Sequence, residues 1–200
     1  MIAQDWTEAP RGTRGVFGGG NDHRRVSVRE VRSEDAGALR RMFDRCSRET
    51  LYLRFHMAWQ TVPEWAIGLL TGAGVNDREG RAVVAVAGPE IVGHVMYVKD
   101  RSDDREAEVA VIVEDGQRSG GVGRLLLTEI AGEARRAGVE MLTCTTSGDN
   151  YRVQEVARRV FPNVRLTFSG GACHMRLSLE RHGGDLPTAD GALGIGGHLT

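Results

Sequence analysis

The stretch from residue 107 to residue 136 places a β-rich segment, a glycine-rich loop and an amphipathic helix in direct succession. The segment AEVAVIVED (107–115) has the composition of a strand, and QRSGGVG (117–123) holds three glycines within four positions. Apolar residues then recur every four positions from Val122 to Ala134, as on one face of a helix. Such a unit leaves backbone N–H groups free at a helix N-terminus, where phosphate oxygens bind well.

Two common nucleotide-binding patterns do not match this loop. A Walker A loop requires GxxxxGK; Gly116 and Gly121 have the spacing, but Val122 stands where lysine should be. The dinucleotide fingerprint GxGxxG, started at Gly121, puts Leu126 at the third glycine. We therefore do not expect ATP or NAD to bind by these routes. The structural alternative is a tight strand-to-helix turn made by Gly120 and Gly121 without any ligand.

The rest of the chain alternates between strand-like and helix-like segments. The strand-like segments are 26–31, 81–88, 90–100, 107–115, 139–145, 164–168 and 173–179. Helices are expected after an N-cap at Ser33, over 49–70 with an interruption near Pro63, from 122 to Gly138, and from Asp149 or Asn150 to just before Pro162. This order predicts a mixed α/β (α+β) fold, with a sheet of six to seven strands flanked by about four helices.

The two ends of the chain differ from its middle. Residues 1–23 and 182–200 are rich in glycine and show little apolar periodicity, so we expect both to be disordered, mobile tails. A chain of 200 residues with 40% hydrophobic composition can bury one core. We therefore expect a single domain over residues 24–181.

Composition excludes several other classes of protein. A net charge of -1 gives no support for nucleic-acid binding. The three cysteines, Cys46, Cys144 and Cys173, contain no CxxC pair, and His94 and His174 have no second ligand at metal spacing, so we expect neither disulfides nor a metal site. No apolar stretch is long enough to span a membrane, and the N-terminus lacks the apolar core of a signal peptide. We expect a soluble, cytoplasmic protein without a membrane partner.

Arg118, Gly121 and Gly123 form the pattern RxxGxG, with Arg118 five residues after Val113 and a leucine-rich helix following. This arrangement resembles motif A of the GNAT superfamily of N-acetyltransferases, in which Gln or Arg begins [QR]xxGx[GA] directly after a strand. The order of strands and helices is also similar over about residues 24–180. The resemblance implies the GNAT fold, with a mostly antiparallel, twisted central sheet, and acetyl-CoA as co-substrate.

The same resemblance implies which residues contact acetyl-CoA, and Arg118, which begins the motif, is one of them. The amides that would bind its pyrophosphate are those of Ser119, Gly120, Gly121, Val122, Gly123 and Arg124. The main chain of Val111, Ile112 and Val113 would hydrogen-bond to the pantetheine arm and the thioester carbonyl, as an added strand does. Asn150 matches an asparagine that often contacts the cofactor, and a helix N-cap explains Asn150 equally well.

Direct acetyl transfer to an amine requires the uncharged amine. A lysine-like amine has a pKa near 10.4, so its deprotonation at pH 7 costs about 4.6 kcal/mol, which makes a positioned base useful. Glu108 is our candidate for this base. A carboxylate is a weak base towards ammonium, so Glu108 would need partial burial or a water relay. The alternative is that Glu108 is simply a solvent-facing strand residue.

The general acid of many GNAT enzymes is missing here. These enzymes carry a tyrosine seven residues after the asparagine, which protonates the leaving thiolate, and this chain has Ala157 there. Tyr151 lies on the wrong turn to replace it. Because a thiol with a pKa near 8.5 can leave as thiolate, the absence does not exclude catalysis.

The segment SRETLYLRF (47–55) bears on the acceptor. It is similar to the S-x-E-S/T-x-Y-x-R-F segment after the first helix of bacterial protein-lysine acetyltransferases related to those that modify acyl-CoA synthetases. In that subgroup a glutamate in an AEVA-like strand is the base and the tyrosine is also missing. The alternative is structural: Leu51, Leu53 and Phe55 belong to the core, and Arg54 pairs with an acidic neighbour.

These observations predict an acetyl-CoA-dependent N-acetyltransferase that acts directly on a primary amine, with a protein lysine as the leading acceptor. Two alternatives stay open at this point. The acceptor is a small amine, such as an aminoglycoside, a polyamine or an amino acid, or the chain is a CoA-binding regulatory module with little turnover. A homodimer is compatible with each of them. The sequence leaves the acyl-chain preference undetermined.

Overall fold

A computed structural model describes residues 14–17, 26–71 and 80–180 of the chain. Its strands are β1 Arg14–Phe17, β2 Val26–Glu30, β3 Gly80–Ala87, β4 Glu90–Lys99, β5 Glu106–Val113, β6 Met141–Ser147, β7 Val164–Ser169 and β8 Ala172–Ser178. They form one sheet in the order β1-β2-β3-β4-β5-β6-β8-β7. The β5–β6 pair is parallel and the other described pairs are antiparallel. The predicted mixed, mostly antiparallel sheet is confirmed.

Helices cover both faces of this sheet. They are α1 Ala36–Asp44, α2 Arg48–Phe55, α3 Glu64–Leu70, α4 Val122–Arg136 and α5 Tyr151–Val160. Helix α4 buries the predicted apolar stripe, including Leu126 and Ile130, in a core shared with α5 and the adjacent sheet face. Helices α1, α2 and α3 enclose a second core on the other face, where Leu51 is buried and Phe55 is partly buried, while Leu53 is half-buried outside that cluster.

The element count exceeds the prediction in two places. The eighth strand is β1, which pairs with β2 and lies within the segment 1–23 that we expected to be a tail. The remainder of that segment, and the predicted tail 182–200, lie outside the described residues. The fifth helix arises because the helical region predicted over 49–70 forms two helices, α2 and α3, on either side of residues 56–63.

The predicted N-cap at Ser33 is wrong. Residues Ser33–Asp35 form a short 3-10 turn, and α1 begins only at Ala36. The carboxylate of Asp35 accepts a hydrogen bond from the backbone N–H of Arg32 at 2.8 Å and binds the Arg29 guanidinium at 2.7 Å. Asp35 thus stabilises the 3-10 turn that precedes α1, and no side chain caps α1 itself in the described structure.

Gly93 in β4 allows helix α4 to lie close to the sheet. A Cβ atom at this position would lie 2.9 Å from Leu126 Cδ1 and 3.2 Å from the Ile112 carbonyl oxygen. Neither distance is compatible with normal van der Waals contact, and the carbonyl belongs to the backbone. The glycine thus fixes how closely the first turns of α4 approach β4 and β5.

His94 lies on β4 in the second core. Its Nε2 lies 3.2 Å from the carbonyl oxygen of Leu70, which can only accept, so Nε2 carries the hydrogen. The side chain is fully buried, and this burial, together with the charge of Arg54, lowers the pKa of His94 to about 3. His94 is therefore neutral in the folded protein.

The buried neutral state of His94 makes stability dependent on pH. The pKa of His94 is about 3 in the folded protein and about 6.5 in the unfolded chain. The stability that comes from keeping His94 neutral is therefore fully present above about pH 6.5 and is lost as the pH falls towards 3. We expect the free energy of unfolding to decrease by about 2 kcal/mol between about pH 7 and pH 5 through this group alone. Urea denaturation at both pH values, with wild type and His94→Gln, measures the difference.

The exposed His174 provides the matched control for this experiment. The His174→Gln variant should retain the wild-type dependence of the free energy of unfolding on pH. The His94→Gln variant should take up about one proton fewer on unfolding between pH 7 and pH 5, so its stability should depend less on pH. Equal pH dependence in wild type and His94→Gln would contradict the assignment.

Among the described helices, none combines the length and apolar composition that crossing a membrane requires.

Candidate active site

Strands β5 and β6 pair over three positions and then diverge. The parallel pairs are Glu106 with Met141, Ala107 with Leu142 and Glu108 with Thr143. Beyond them β5 continues to pair with β4, up to Gly93 and Val113, while β6 continues to pair with β8. We call the opening between residues 109–113 of β5 and 144–147 of β6 the fork. It leaves an edge of β5 without a neighbouring strand inside the sheet.

The register determines which main-chain groups of β5 face the fork. The Glu114 N–H donates to the Val92 carbonyl oxygen at 3.0 Å, so the groups of Glu114 face β4. Backbone groups alternate along a strand, which turns Ile112 towards β4 and turns Val111 and Val113 towards the fork. Val111 and Val113 are thus the two members of the predicted trio whose main chain faces the fork, whereas the side chain of Ile112 is buried in the second core.

The glycine loop follows β5 and ends at the mouth of the fork. Gly121, with φ of 77°, is the N-cap of α4 and has no side chain to cap the helix. The first helical hydrogen bond of the loop runs from Leu125 N–H to the Gly121 carbonyl at 3.0 Å. The N–H groups of Val122, Gly123 and Arg124 precede it and have no intrahelical acceptor. These groups are therefore available to an anion at this end of α4, and the binding of a phosphate by them stays a prediction.

Other predicted loop residues are placed differently. The Gly120 N–H donates to the Gln117 carbonyl at 3.1 Å, which closes a turn within the loop. Ser119 and Gly120 are exposed. The side chain of Arg118 turns away from the free amides and towards α2. The loop therefore offers amide groups, rather than the Arg118 guanidinium, at the helix end.

A group of four polar residues, which we call the Asp115 cluster, connects α2 to the loop. The Asp115 carboxylate accepts hydrogen bonds from the Ser47 N–H at 2.7 Å, from the Thr50 hydroxyl at 2.9 Å and from Arg118 Nη1 at 3.1 Å. Arg118 Nη2 also donates to the Thr50 hydroxyl oxygen. Ser47 is the N-cap of α2, since its hydroxyl accepts from the Thr50 N–H at 3.2 Å.

The charge of Asp115 is stabilised within this cluster. Partial burial would raise the pKa of its carboxyl, but the hydrogen bonds from Ser47 and Thr50 and the charge of Arg118 outweigh that effect and lower the pKa. Asp115 is therefore ionised at neutral pH and forms an ion pair with Arg118.

Glu108 lies at the closed end of the fork, between Val98 of β4 and Thr143 of β6. Its side chain is exposed, so the partial burial that we expected for a catalytic base is not observed. Exposure leaves room for a water molecule between the carboxylate and an acceptor amine. Of the two routes considered from the sequence, the water relay fits this position.

Arg54 of α2 lies on the sheet face that carries Glu108, because Met96, which it contacts, pairs with Ala110, two residues from Glu108 on β5. Its Nη2 lies 3.5 Å from Met96 Sδ, and its Nε is buried without a hydrogen-bond partner in the described part of the chain. Burial lowers the pKa of Arg54 to about 10, while the charge of Glu108 acts in the opposite direction. Among the described residues no ion pair between the two side chains accompanies this charge effect, so the expected pairing of Arg54 with an acidic neighbour stays a prediction.

Asn150 is a helix N-cap in this structure. Its side-chain oxygen accepts from the Val153 N–H at 3.4 Å, and its Nδ2 donates to the Thr146 hydroxyl at 3.0 Å. A contact with the cofactor stays a prediction. Ala157, which occupies the position of the usual tyrosine, lies on the buried face of α5, and Tyr151 is exposed at the start of that helix. Ala157 has no hydroxyl that could act as the acid.

Cys144 lies in β6 just beyond the last parallel pair. Burial, assisted by the charge of Glu108, raises the pKa of its thiol to about 11. The thiol is thus protonated at neutral pH and is not a nucleophile. Over the described residues, no group of three or more His, Cys, Asp or Glu side chains is arranged to hold a metal ion.

A sequence profile of the acetyltransferase (GNAT) family matches residues 38–161. That span contains both strands of the fork, the glycine loop and the Asp115 cluster, and it exceeds half of the chain. The chain belongs to the acetyltransferase (GNAT) family. The family resemblance of the RxxGxG pattern is thereby confirmed.

Solved GNAT structures have the same fold over most of this family member. The GNAT domain of S. lividans PAT superposes with a TM-score of 0.73 at 22% identity, covering 86% of this chain and 99% of that one. The structure of yncA, a putative acetyltransferase from Salmonella typhimurium with its cofactor acetyl-CoA, gives 0.64 at 18% identity, covering 82% and 99%. A phosphinothricin acetyltransferase (Pat) from Sinorhizobium meliloti in complex with AcCoA gives 0.64 at 16% identity, covering 82% and 94%.

Sequence reasoning on this GNAT chain missed the Asp115 cluster. The segment 47–55 was examined for its bearing on the acceptor, yet two of its polar residues, Ser47 and Thr50, bind the start of the loop. Serine is a preferred N-cap residue, and Ser47 stands directly before the helix-like segment, so its capping role could be predicted from the sequence. Nothing local indicates that Asp115 is their partner.

Proposed function

We propose that this protein transfers the acetyl group of acetyl-CoA directly to a primary amine, with a protein lysine as acceptor. The observation that carries the proposal is the fork, which opens directly onto the free amides of Val122, Gly123 and Arg124. An extended acyl-carrying arm and a pyrophosphate need those two features side by side. The yncA and Sinorhizobium meliloti structures contain acetyl-CoA, which supports the choice of donor.

The residues of the fork and the loop fit acetyl-CoA. Free N–H groups at the positive end of α4 stabilise phosphate oxygens, and Gly121 keeps a side chain away from them. The arm adds as a strand along β5, where Val111 and Val113 turn their main chain to the fork. From Val113 to Glu108 the strand spans about 17 Å, which the arm crosses to bring the thioester to the closed end. At this closed end of the fork, an N–H group of β5 polarises the thioester carbonyl.

Glu108 then acts as the general base through a water molecule. It removes a proton from the acceptor ammonium, and the amine nitrogen bonds to the acetyl carbon. The carbon–sulfur bond then breaks to release the thiolate of coenzyme A, while the nitrogen loses its second proton to water and becomes the neutral amide. The thiolate leaves without a tyrosine acid because its pKa is only about 8.5. Bulk water returns the proton to it at neutral pH.

An open polar surface beside Glu108 favours a protein acceptor over a small one. Glu108, Thr143, Arg176 and Arg165 lie in register across four adjacent strands. Both arginines and Glu108 are exposed. A polypeptide can lie across such a row, whereas a small amine binds better in an enclosed pocket. The similarity of segment 47–55 to protein-lysine acetyltransferases supports the same acceptor.

A thiol-release assay with acetyl-CoA tests the proposal. We expect coenzyme A release with lysine-containing proteins and much less with aminoglycosides, polyamines or free amino acids. Greater release with a small amine would overturn the choice of acceptor. Binding of acetyl-CoA without release on any acceptor would favour the regulatory alternative.

A further inference from the structure

Helix α2 is joined to the start of the glycine loop by the polar contacts of the Asp115 cluster. Thr50 is buried in α2, and its hydroxyl both donates to Asp115 and accepts from Arg118. Ser47 adds its N–H and hydroxyl to the same carboxylate at 2.7 and 3.2 Å. The Asp115 carboxylate at the start of the loop therefore binds both Ser47, the N-cap residue of α2, and Thr50 in the first turn of that helix.

A neighbouring ion pair fastens the end of α1 to the same stretch of chain. Arg45 Nε binds the Glu114 carboxylate at 2.7 Å, and Arg45 Nη2 donates to the Ile91 carbonyl at 2.7 Å. The chain between α1 and α2 is thus held at two consecutive residues, Glu114 and Asp115. These bonds involve charged partners in a partly buried setting, which makes them stronger than neutral surface hydrogen bonds.

Arg118 has an unexpected orientation for the first residue of a phosphate loop. Its charge is directed to Asp115 and Thr50, and its side chain is only 25% exposed. A phosphate bound at the helix end would then contact the amides of residues 122–124. Arg118 instead links the loop to α2 through its contacts with Asp115 and Thr50. The other end of α2 carries Arg54, which contacts Met96 on the sheet face that carries Glu108.

We infer that Asp115 and Thr50 are positioning residues that make α2 move as one body with the loop, so that acetyl-CoA bound at the loop also fixes α2 beside Glu108. The inference rests on the proposed binding of acetyl-CoA. It gives Thr50 of segment 47–55, and its hydrogen-bond partner Asp115, a role in coupling the donor site to the acceptor side. Neither residue touches the reacting atoms.

Hydrogen exchange with and without acetyl-CoA tests this inference on the whole protein. In wild type we expect slower exchange both in residues 121–126 and in α2, Arg48–Phe55. In Thr50→Val the loop should still be protected while the added protection of α2 is lost. The acetyl-CoA Kd should rise about threefold to tenfold, the range that loss of one hydrogen bond gives.

Two further variants separate coupling from general destabilisation. Thr50→Ser keeps the hydroxyl and should restore the protection of α2. Thr71→Val removes another buried hydroxyl, one that donates to the Gly68 carbonyl at 3.0 Å, and should leave the coupling intact.

The outcomes distinguish the inference from the function on which it rests. Protection of the loop without protection of α2 in wild type, or full protection of α2 in Thr50→Val, overturns the inference alone. Absence of any protection at residues 121–126 overturns acetyl-CoA binding at the loop, and the inference with it.

Discussion

Replacing Glu108 with glutamine should lower kcat about 10²- to 10⁴-fold, the range typical of a general base, while the acetyl-CoA Kd stays nearly constant. The amide cannot take a proton from the acceptor ammonium, directly or through water. The side chain is exposed at the closed end of the fork, so the substitution should not disturb the core. Steady-state thiol release gives kcat, and calorimetric titration with acetyl-CoA gives the affinity.

Glu106 supplies the matched control on the same strand. It lies two residues from Glu108, on the same face by strand alternation, and pairs with Arg176 at 3.2 Å. Glu106→Gln makes the same chemical change outside the proposed chemistry and should retain most of the turnover. Equal kcat for wild type and Glu108→Gln would contradict the role of Glu108 as base.

Replacing Gly121 with valine should weaken acetyl-CoA binding about 10- to 100-fold. The residue has φ of 77°, a conformation that costs a β-branched residue about 1–2 kcal/mol or more. No atom lies within 4 Å of a Cβ at this position, so the side chain would project into open space at the end of the helix that carries the free amides. Distortion of the helix end and obstruction of the phosphates act in the same direction. Calorimetric titration with acetyl-CoA measures the effect.

Gly138 at the other end of α4 isolates the effect of strain. It has φ of 81° and likewise no atom within 4 Å of a Cβ, but it lies a helix length from the loop. Gly138→Val should lose a similar amount of stability and keep its affinity for acetyl-CoA. A Gly121→Val protein that folds and binds acetyl-CoA as tightly as Gly138→Val would contradict binding at the helix end.

The strand–loop–helix unit is predictable because its signals are local. The four-residue recurrence from Val122 to Ala134 and the position of Gly121 depend on neighbours in sequence, and both agree with the structure. Asn150 is predictable as an N-cap for the same reason. Ser33 shows the limit of such patterns, because residues Ser33–Asp35 form a separate 3-10 turn, held by the bond from Arg32 N–H to Asp35, before α1 begins.

The fork and the Asp115 cluster depend on contacts that sequence patterns do not encode. The fork arises from where β5 and β6 stop pairing, and β6 follows β5 only after the whole of α4. Thr50 and Asp115 are 65 residues apart in the chain. The orientation of Ile112 towards β4 likewise depends on the register with a neighbouring strand. Family resemblance locates the loop, but only the packed sheet shows which main-chain groups face it.

A crystal structure of the complex with acetyl-CoA tests the central claim most directly. We expect the pyrophosphate oxygens to accept hydrogen bonds from the amides of Val122, Gly123 and Arg124, and the arm to lie between β5 and β6 with the acetyl group near Glu108. Acetyl-CoA bound elsewhere on the protein, or a fork that stays empty beside a bound cofactor, would contradict the account.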